Sequence, residues 1–233
     1  MIMKKIGILG GMSSASTSEY YKIINKEVQE KLGGHHTPEL LIYSVNFEVI
    51  SECITNDHWN DAGLYLAKRA KSLELAGADA IALATNTMHK VRHQILSEIN
   101  IPLIDIIDSI SSKIQSDNKN KIAILGTYPT MTDPFYKEAY GQNDIELLAP
   151  KEHAKIEINR IIFEELTFNT IKDDSKTFFI QVLEDLFQNG AEGVILGCTE
   201  LKLILQQTDF EKLSFYDSLH LHCEKIVEVA CST

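Results

Sequence analysis

The sequence predicts an α/β fold made of two pseudosymmetric three-layer α/β/α domains, each built on a parallel sheet. Three observations support this prediction. The segment Lys5-Ile-Gly-Ile-Leu-Gly10 returns as Lys121-Ile-Ala-Ile-Leu-Gly126, and Ala80-Ile-Ala-Leu-Ala-Thr85 is answered by Gly193-Val-Ile-Leu-Gly-Cys198. These short apolar runs alternate with longer stretches of helical periodicity, a pattern typical of buried parallel strands with helices on both faces. With 233 residues, the chain is long enough for two such domains.

The first copy of the repeat gives its elements in chain order. A buried strand over residues 6–10 leads into a helix after Ser16, and a second strand covers residues 40–45. Apolar residues at helical spacing predict a helix over residues 61–75, which Ala76-Gly77 ends as a C-cap. A third strand over residues 79–84 precedes a helix through Val91 and Ile95.

The second copy repeats this order. Strands are predicted over residues 122–126, 145–148 and 193–197, with helices from about Asp133 and over 154–166 and 174–188. The segment at residues 213–217 mirrors the one at 102–105. If the strand at 102 crosses into the second domain, the strand at 213 and the last helix should cross back. The predicted domains are therefore residues 1–100 plus 211–233, and residues 101–210.

Composition and net charge limit the classes of molecule that the protein is expected to bind. The formal net charge of −11 disfavours nucleic acid and anionic membrane surfaces, because phosphate groups would be repelled. Four cysteines without a C-x-x-C pair favour a reduced compartment, and neither a signal-peptide core nor an apolar run of about 20 residues is present. We therefore expect a cytoplasmic protein without nucleic-acid or membrane partners.

Four segments leave strand ends, where ligands bind in open α/β sheets. They are Gly10–Ser14, Thr85–Thr87, Gly126–Thr130 and Cys198–Glu200. Backbone N–H groups and hydroxyls at such ends can receive a carboxylate or a phosphate. The Gly pair lacks both the G-x-G-x-x-G and the G-x-x-x-x-G-K-[ST] pattern, so a nucleotide loop is not indicated.

Cys198 is the strongest single candidate for chemistry. A thiol at a strand–helix junction can have its pKa lowered by the helix N-terminus and act as a base. The alternative is a buried core cysteine. Thr85 holds the matching position in the first copy, and taken alone it would be a helix N-cap. His89, one helical turn later, is either a contact of a ligand or its neighbours or a helix-surface or capping residue.

A metal site is not indicated. His220, His222 and Cys223 are spaced i, i+2 and i+3, which does not converge well on one ion, and no second cluster complements them. We interpret these residues as packing or surface residues.

On these segments, the chain resembles the aspartate/glutamate racemase family, whose members work without pyridoxal phosphate. The resemblance covers essentially the whole length. It rests on Gly-Ile-Leu-Gly-Gly-Met12, Thr85-Asn86-Thr87-Met-His89-Lys90, Ile-Ile-Phe-Glu-Glu-Leu166 and Gly197-Cys198-Thr199-Glu200. Most of the family has Cys at the position of Thr85. The chain therefore looks most like the subgroup specific for L-aspartate and L-glutamate, which has Thr there.

The resemblance implies a racemase of aspartate and/or glutamate with two α/β domains and a site in the cleft between them. It implies no cofactor, no metal, a small dicarboxylic amino-acid substrate and a homodimer. Cys198 and Thr85 would be the catalytic pair on opposite faces of Cα. The implied substrate-binding residues are Met12, Ser14, Asn86, Thr87, Thr127, Thr130 and Thr199.

The sequence also fits two other functions and leaves the substrate's cation partner open. A substrate side-chain carboxylate needs a cation, and Arg69, Arg92 and Arg160, with Lys155 near the last, are the candidates. A single effective cysteine also fits a related decarboxylase or a maleate-type isomerase, which product analysis would separate from a racemase. A two-lobed amino-acid-binding protein without turnover is the third reading, and it would show binding without solvent exchange at Cα.

Overall fold

The computed structural model describes residues 3–232, and within them the chain forms two four-stranded parallel sheets. Both sheets have the same strand order. In the first sheet it is β2-β1-β3-β4 and in the second β6-β5-β7-β8. The strands are β1 Ile6–Gly10, β2 Leu40–Ser44, β3 Ala80–Leu83, β4 Leu103–Ile104, β5 Lys121–Leu125, β6 Glu146–Leu148, β7 Gly193–Leu196 and β8 Ser214–Asp217. The predicted α/β class and the repeat of the parallel sheet are confirmed.

Eleven α-helices lie between and after these strands within residues 3–232. They are α1 Ser14–Leu32, α2 Phe47–Thr55, α3 Trp59–Leu75, α4 Arg92–Glu98, α5 Ile106–Ser116, α6 Tyr128–Thr132, α7 Pro134–Gly141, α8 Glu152–Glu164, α9 Asp173–Gln188, α10 Leu201–Ile204 and α11 Ser218–Ala230. A short 3₁₀ turn, Thr87–Val91, precedes α4. None of the helices in the described part of the chain combines the length and the apolar character that crossing a bilayer demands.

The chain divides into two compact units. Unit 1 runs up to Ile106 and resumes at His222, and unit 2 covers Ile107–Leu221. In unit 1, β1 is fully buried and pairs with β2 and β3, and α3 packs its buried face on that sheet. In unit 2, β5 pairs with β6 and β7, and buried residues of α8 and α9 join β5 and β7 in one apolar core.

The expectation that the strands at 102 and 213 cross between the domains is wrong. Ile81 pairs with Leu103, so β4 joins the first sheet, and Leu196 pairs with Asp217, so β8 joins the second. The physical reason is that a short helical crossover usually brings the chain back into the same parallel sheet, as α4 does between β3 and β4 and α10 between β7 and β8. The change between units comes one element later, in α5 and in α11, at Ile106 and Leu221 instead of residues 100 and 210.

Candidate active site

The turn after β1 is fixed by a hydroxyl on the following helix. Gly11 has a φ of +92°, and a Cβ there would lie 2.4 Å from the carbonyl oxygen of Val45. Its N–H donates to Thr17 Oγ1 at 2.8 Å, and that hydroxyl donates to the carbonyl oxygen of Ser13 at 2.8 Å. Next to this turn, Met12 is buried and Ser14 is exposed. Thr17 was not singled out from the sequence, because a Thr in the first turn of a helix carries no signal of its own.

Thr85 lies where β3 ends. The pairing of β3 with β1 continues through Ala84, whose N–H donates to the carbonyl oxygen of Leu9 at 3.0 Å. Thr85, Asn86 and Thr87 follow as half-buried residues and run into the 3₁₀ turn. The capping position of that turn is Asn86, and it makes no side-chain capping bond. The alternative role of Thr85 as a helix N-cap is therefore not observed.

His89 is hydrogen-bonded to the backbone of Thr85. It is fully buried, its Nδ1 lies 2.8 Å from the carbonyl oxygen of Thr85, and its Nε2 lies 3.2 Å from the N–H of Ile106. A carbonyl only accepts and an N–H only donates, so the imidazole is neutral with its proton on Nδ1. Burial lowers the pKa of His89. The surface position considered from the sequence is wrong, and His89 orients the main chain that carries Thr85.

A second buried histidine extends this network within unit 1. His222 lies with its ring centroid 5.8 Å from that of His89, and its Nε2 donates to the carbonyl oxygen of Ile104 at 2.8 Å. The hydroxyl of Tyr20 lies 2.7 Å from its Nδ1, which must accept in that tautomer. Burial, with the neighbouring His89, lowers the pKa of His222 to about 3. His222 is thus a satisfied core residue, and no group of His, Cys, Asp or Glu within residues 3–232 could hold a metal ion.

In unit 2, three polar side chains meet where β7 ends. The Sγ of Cys198 donates to Glu200 Oε2 at 2.9 Å, and the Oγ1 of Thr199 donates to the same oxygen at 2.7 Å. All three residues are half-buried. One carboxylate oxygen therefore holds both the predicted catalytic thiol and its neighbouring hydroxyl.

The expected lowering of the Cys198 pKa is wrong for this arrangement. The pKa of the thiol lies well above its usual range, first because of burial and then because of the Glu200 carboxylate. The N–H groups of Thr199 and Glu200 act in the other direction, and they are outweighed. The helix that follows, α10, begins only at Leu201 and is four residues long, so its N-terminus offers the thiol little.

The loop after β5 is packed against the Cys198 segment. Thr130 is buried, and a Cβ at Gly126 or Gly197 would lie 2.9 or 3.0 Å from its Cγ2 methyl. The methyl of Thr130 therefore fills the space between the ends of β5 and β7. Its hydroxyl lies 3.1 Å from that of Thr127. The N–H of Tyr128 donates to Asn159 Oδ1 at 2.8 Å, which fixes the loop to α8.

The basic side chains that could bind a substrate carboxylate differ in whether they already contact an acidic residue. Arg92 contacts Asp105 at 3.1 Å, and Lys155 contacts Glu152 at 3.2 Å. Arg160 is bound by three glutamates, Glu157, Glu164 and Glu165. Arg69 lies over the ring of Tyr65, 3.5 Å from its centroid. Among residues 3–232, Arg69 is the one of the three arginines without a carboxylate partner.

Comparison with known proteins gives relatives across nearly the whole chain. The broad specificity amino-acid racemase RacX of Bacillus subtilis (strain 168) is 27% identical over 210 residues, which cover 88% of this chain and 89% of that protein. A solved structure of a candidate Asp/Glu racemase from Yersinia pestis is 35% identical, with a TM-score of 0.95, covering 99% of this chain and all of that one.

A second solved structure, an aspartate racemase homologue from Pyrococcus horikoshii OT3, is 40% identical, with a TM-score of 0.89. It covers 99% of this chain and 100% of its own. The sequence model of the family described as Asp/Glu/hydantoin racemase matches residues 9–226. The chain belongs to the Asp/Glu/hydantoin racemase family and is an amino-acid racemase, an isomerase.

Proposed function

We propose that this racemase interconverts the L and D forms of aspartate and/or glutamate by two-base proton transfer at Cα. Cys198 acts on one face of Cα and Thr85 on the other. The observation that carries the proposal is the repeat: β3 and β7 hold the same place in the two sheets, and one ends at a hydroxyl and the other at a thiol. A centre that is inverted needs one proton-carrying group on each face.

The remaining polar residues at the strand ends bind the substrate in this proposal. Asn86 and Thr87 hold the α-carboxylate through side chains and backbone N–H groups, and Thr199 holds it through its N–H, because its hydroxyl donates to Glu200. Met12, Ser14, Thr127 and Thr130 line the remainder. The buried turn at Gly11 and the packing of Thr130 keep the two loops rigid, and rigid loops hold a substrate in a reactive geometry at lower entropic cost.

The two proton carriers are chemically unequal. A thiol has an ordinary pKa of about 8.5, whereas an alcohol is a far weaker acid whose conjugate base is hard to form. Cys198 is therefore the base that removes the α-proton, and Thr85 is the donor on the other face. We expect one enantiomer to be turned over better than the other.

Cofactors, cellular location and oligomeric state also belong to the proposed function. We propose that turnover needs no pyridoxal phosphate and no metal, that the enzyme acts in the cytoplasm, and that it works as a homodimer. The substrate is a small dicarboxylic amino acid, in agreement with the Asp/Glu description of the family. Its side-chain carboxylate would compete with Asp105 for Arg92, or with three glutamates for Arg160, whereas Arg69 carries no such competitor within residues 3–232.

Chiral chromatography tests the proposal. The purified chain is incubated with L-aspartate, with L-glutamate and with maleate, without added pyridoxal phosphate or metal. We expect the D enantiomer of at least one amino acid to appear and maleate to remain unchanged. Cys198→Ala should abolish the product. Cys231 is a half-buried cysteine that directly follows α11, and Cys231→Ala should leave the product unchanged. Fumarate from maleate, or a decarboxylated product, would contradict the proposal.

A further inference from the structure

Glu200 has a place at the thiol that the sequence did not indicate. Its Oε2 is the acceptor for Cys198 Sγ at 2.9 Å and for Thr199 Oγ1 at 2.7 Å. Its carboxylate has no ion-pair partner among residues 3–232. The nearest lysine in sequence, Lys202, is paired with Asp217. The charge of Glu200 is therefore directed at the thiol and the adjacent hydroxyl, not at a cation.

We propose that Glu200 is a further catalytic residue: its carboxylate takes the proton of the Cys198 thiol and so generates the thiolate that abstracts the α-proton. The step rests on the proposed function, since it supplies the base which that function requires. The Thr199 hydroxyl, bonded to the same oxygen, keeps the carboxylate turned toward Sγ.

The proton balance closes over the whole catalytic cycle, with one proton released to solvent and one taken from it. In the first step the S–H bond of Cys198 breaks, an O–H bond forms on Glu200, and the total charge of the pair stays at minus one. In the second step the thiolate takes the proton of substrate Cα, and its S–H bond forms again. The electron pair of the broken C–H bond stays on the substrate as a carbanion, which receives a proton from Thr85 on the other face. Glu200 then returns its proton to solvent, and the Thr85 oxygen takes one proton from solvent, which restores both side chains to their starting states.

An internal acceptor is needed because the thiol does not ionise readily by itself. Its surroundings are the apolar core of unit 2, and burial raises the pKa of the thiol. Losing the proton to bulk water would leave two negative charges, on sulfur and on Glu200, 2.9 Å apart in a partly desolvated site. Transfer of the thiol proton to Glu200 leaves only one negative charge on the pair. The contact between Cys198 Sγ and Glu200 Oε2 therefore has two effects. It makes loss of the proton to water costly, and it gives the proton only a short distance to travel to the carboxylate.

Two other roles of Glu200 give different results on substitution. If its charge only suppresses the thiolate, neutralising it will speed both alkylation and turnover. If it only holds the loop through its hydrogen bonds, the amide of Glu200→Gln will preserve most of them, and turnover will change equally at every pH. A proton acceptor predicts that Glu200→Gln slows both alkylation and turnover at pH 7, because both reactions use the thiolate, and that both rates recover as the pH rises.

The experiment compares wild type, Glu200→Gln and Glu211→Gln, the last being an exposed glutamate of the same unit as a charge-matched control. Racemisation is followed from pH 6 to 9.5. Alkylation of Cys198 by iodoacetamide is followed by peptide mass spectrometry, which separates it from the other cysteines. We expect kcat at pH 7 to fall about 100-fold in Glu200→Gln, the usual size of a lost acid–base contribution. Its log kcat should then rise with pH as the thiol ionises to water, and the alkylation of Cys198, slower than in wild type at pH 7, should rise with pH in the same way.

Turnover of Glu200→Gln at the wild-type rate, a loss of equal size at every pH, or alkylation at pH 7 that is as fast as in wild type or faster would each overturn the proposal. If Glu200→Gln does not fold, Glu200→Asp takes its place. It keeps an acceptor at a longer reach, so it must show a lower kcat with a pH profile of wild-type shape, and a thiol-type profile would overturn the proposal. A wild-type chain that racemises nothing would contradict the proposed function itself, whereas an active wild type with an equally active Glu200→Gln removes only the Glu200 step.

Discussion

The Nδ1–H of His89 donates a hydrogen bond to the carbonyl oxygen of Thr85, 2.8 Å away. The other nitrogen of the same ring accepts the N–H of Ile106 at 3.2 Å. His89 therefore ties the loop that leaves β3 to the start of α5, and both of its nitrogens are occupied. A fully buried, neutral imidazole of this kind positions Thr85 and does not itself carry a proton to the substrate.

We predict that His89→Gln lowers kcat by ten- to a hundred-fold, because the amide on its flexible stem does not fix both bonds in the geometry of the ring, and a shift of about 1 Å at Thr85 is costly for proton transfer. Cys198, in the other unit, should keep its wild-type alkylation rate. His93→Gln, an exposed residue on α4, is the matched control. Racemisation kinetics and far-UV circular dichroism provide the measurements, and equal kcat values for the two variants would contradict the role given to His89.

Tyr20→Phe removes the hydroxyl that lies 2.7 Å from Nδ1 of His222 and leaves that buried nitrogen without this partner. We expect the free energy of unfolding to fall by about 1–3 kcal/mol, the usual cost of an unsatisfied buried polar group. The neighbouring Tyr21→Phe, on the exposed face of α1, should change it by less than about 0.5 kcal/mol. Urea unfolding of both variants at pH 7.5 measures the difference, and similar midpoints would be the contrary result.

Acidification should destabilise the fold before the carboxylates titrate. In the unfolded chain His89 and His222 take up protons near pH 6.5, whereas in the folded chain burial lowers both pKa values, that of His222 to about 3. The unfolded state then binds more protons, so stability present above pH 6.5 is lost as the pH falls. The slope approaches about 1.4 kcal/mol per pH unit for each histidine.

The measurement is the free energy of unfolding in urea at pH 7.5, 6.0 and 5.0. His222→Gln removes one of the two groups and should show a shallower decline over the same range. A wild-type stability that stays constant between pH 7.5 and 5.0 would show that these imidazoles are accessible to protons in the folded chain.

Gly11→Ala should be among the most damaging single-methyl changes. Its φ of +92° strains any side chain, and the new Cβ would also meet the Val45 carbonyl oxygen at 2.4 Å. Gly34→Ala separates the two causes, since Gly34 has a φ of +59° with no atom within 4 Å of the added Cβ. We expect about 1–2 kcal/mol of lost stability for Gly34→Ala and clearly more for Gly11→Ala, by thermal or urea unfolding. Equal losses would mean that the contact with Val45 relaxes freely.

The sequence was a good guide wherever chain-local patterns decide the structure. Buried strands such as Ile6–Gly10 and Gly193–Leu196 are apolar throughout and end in small residues, so their class and order could be predicted. Which sheet receives β4 was predicted wrongly from the repeat, because strand partnership is set by the crossover through α4 and not by symmetry between the copies.

The site shows the same division. The positions of Thr85 and Cys198 at strand ends follow from the repeat and were predicted. The raised pKa of the Cys198 thiol could not be predicted, because it depends on where the Glu200 carboxylate points and on how short α10 is. The network of Tyr20, His89 and His222 joins residues up to 202 positions apart, and no spacing rule within one element could reveal it.

Isotope exchange at Cα tests the central claim most directly. The purified chain is incubated in D₂O with L-aspartate and, separately, with L-glutamate, and the label in each enantiomer is read early by mass spectrometry after chiral separation. Two-base transfer predicts that the D product carries deuterium at Cα while the remaining L substrate stays largely unlabelled, and that Cys198→Ala forms no labelled product. Deuterium accumulating at equal rates in the substrate and product pools, or product whose Cα keeps its original hydrogen, would contradict proton transfer by Cys198 and Thr85 on opposite faces.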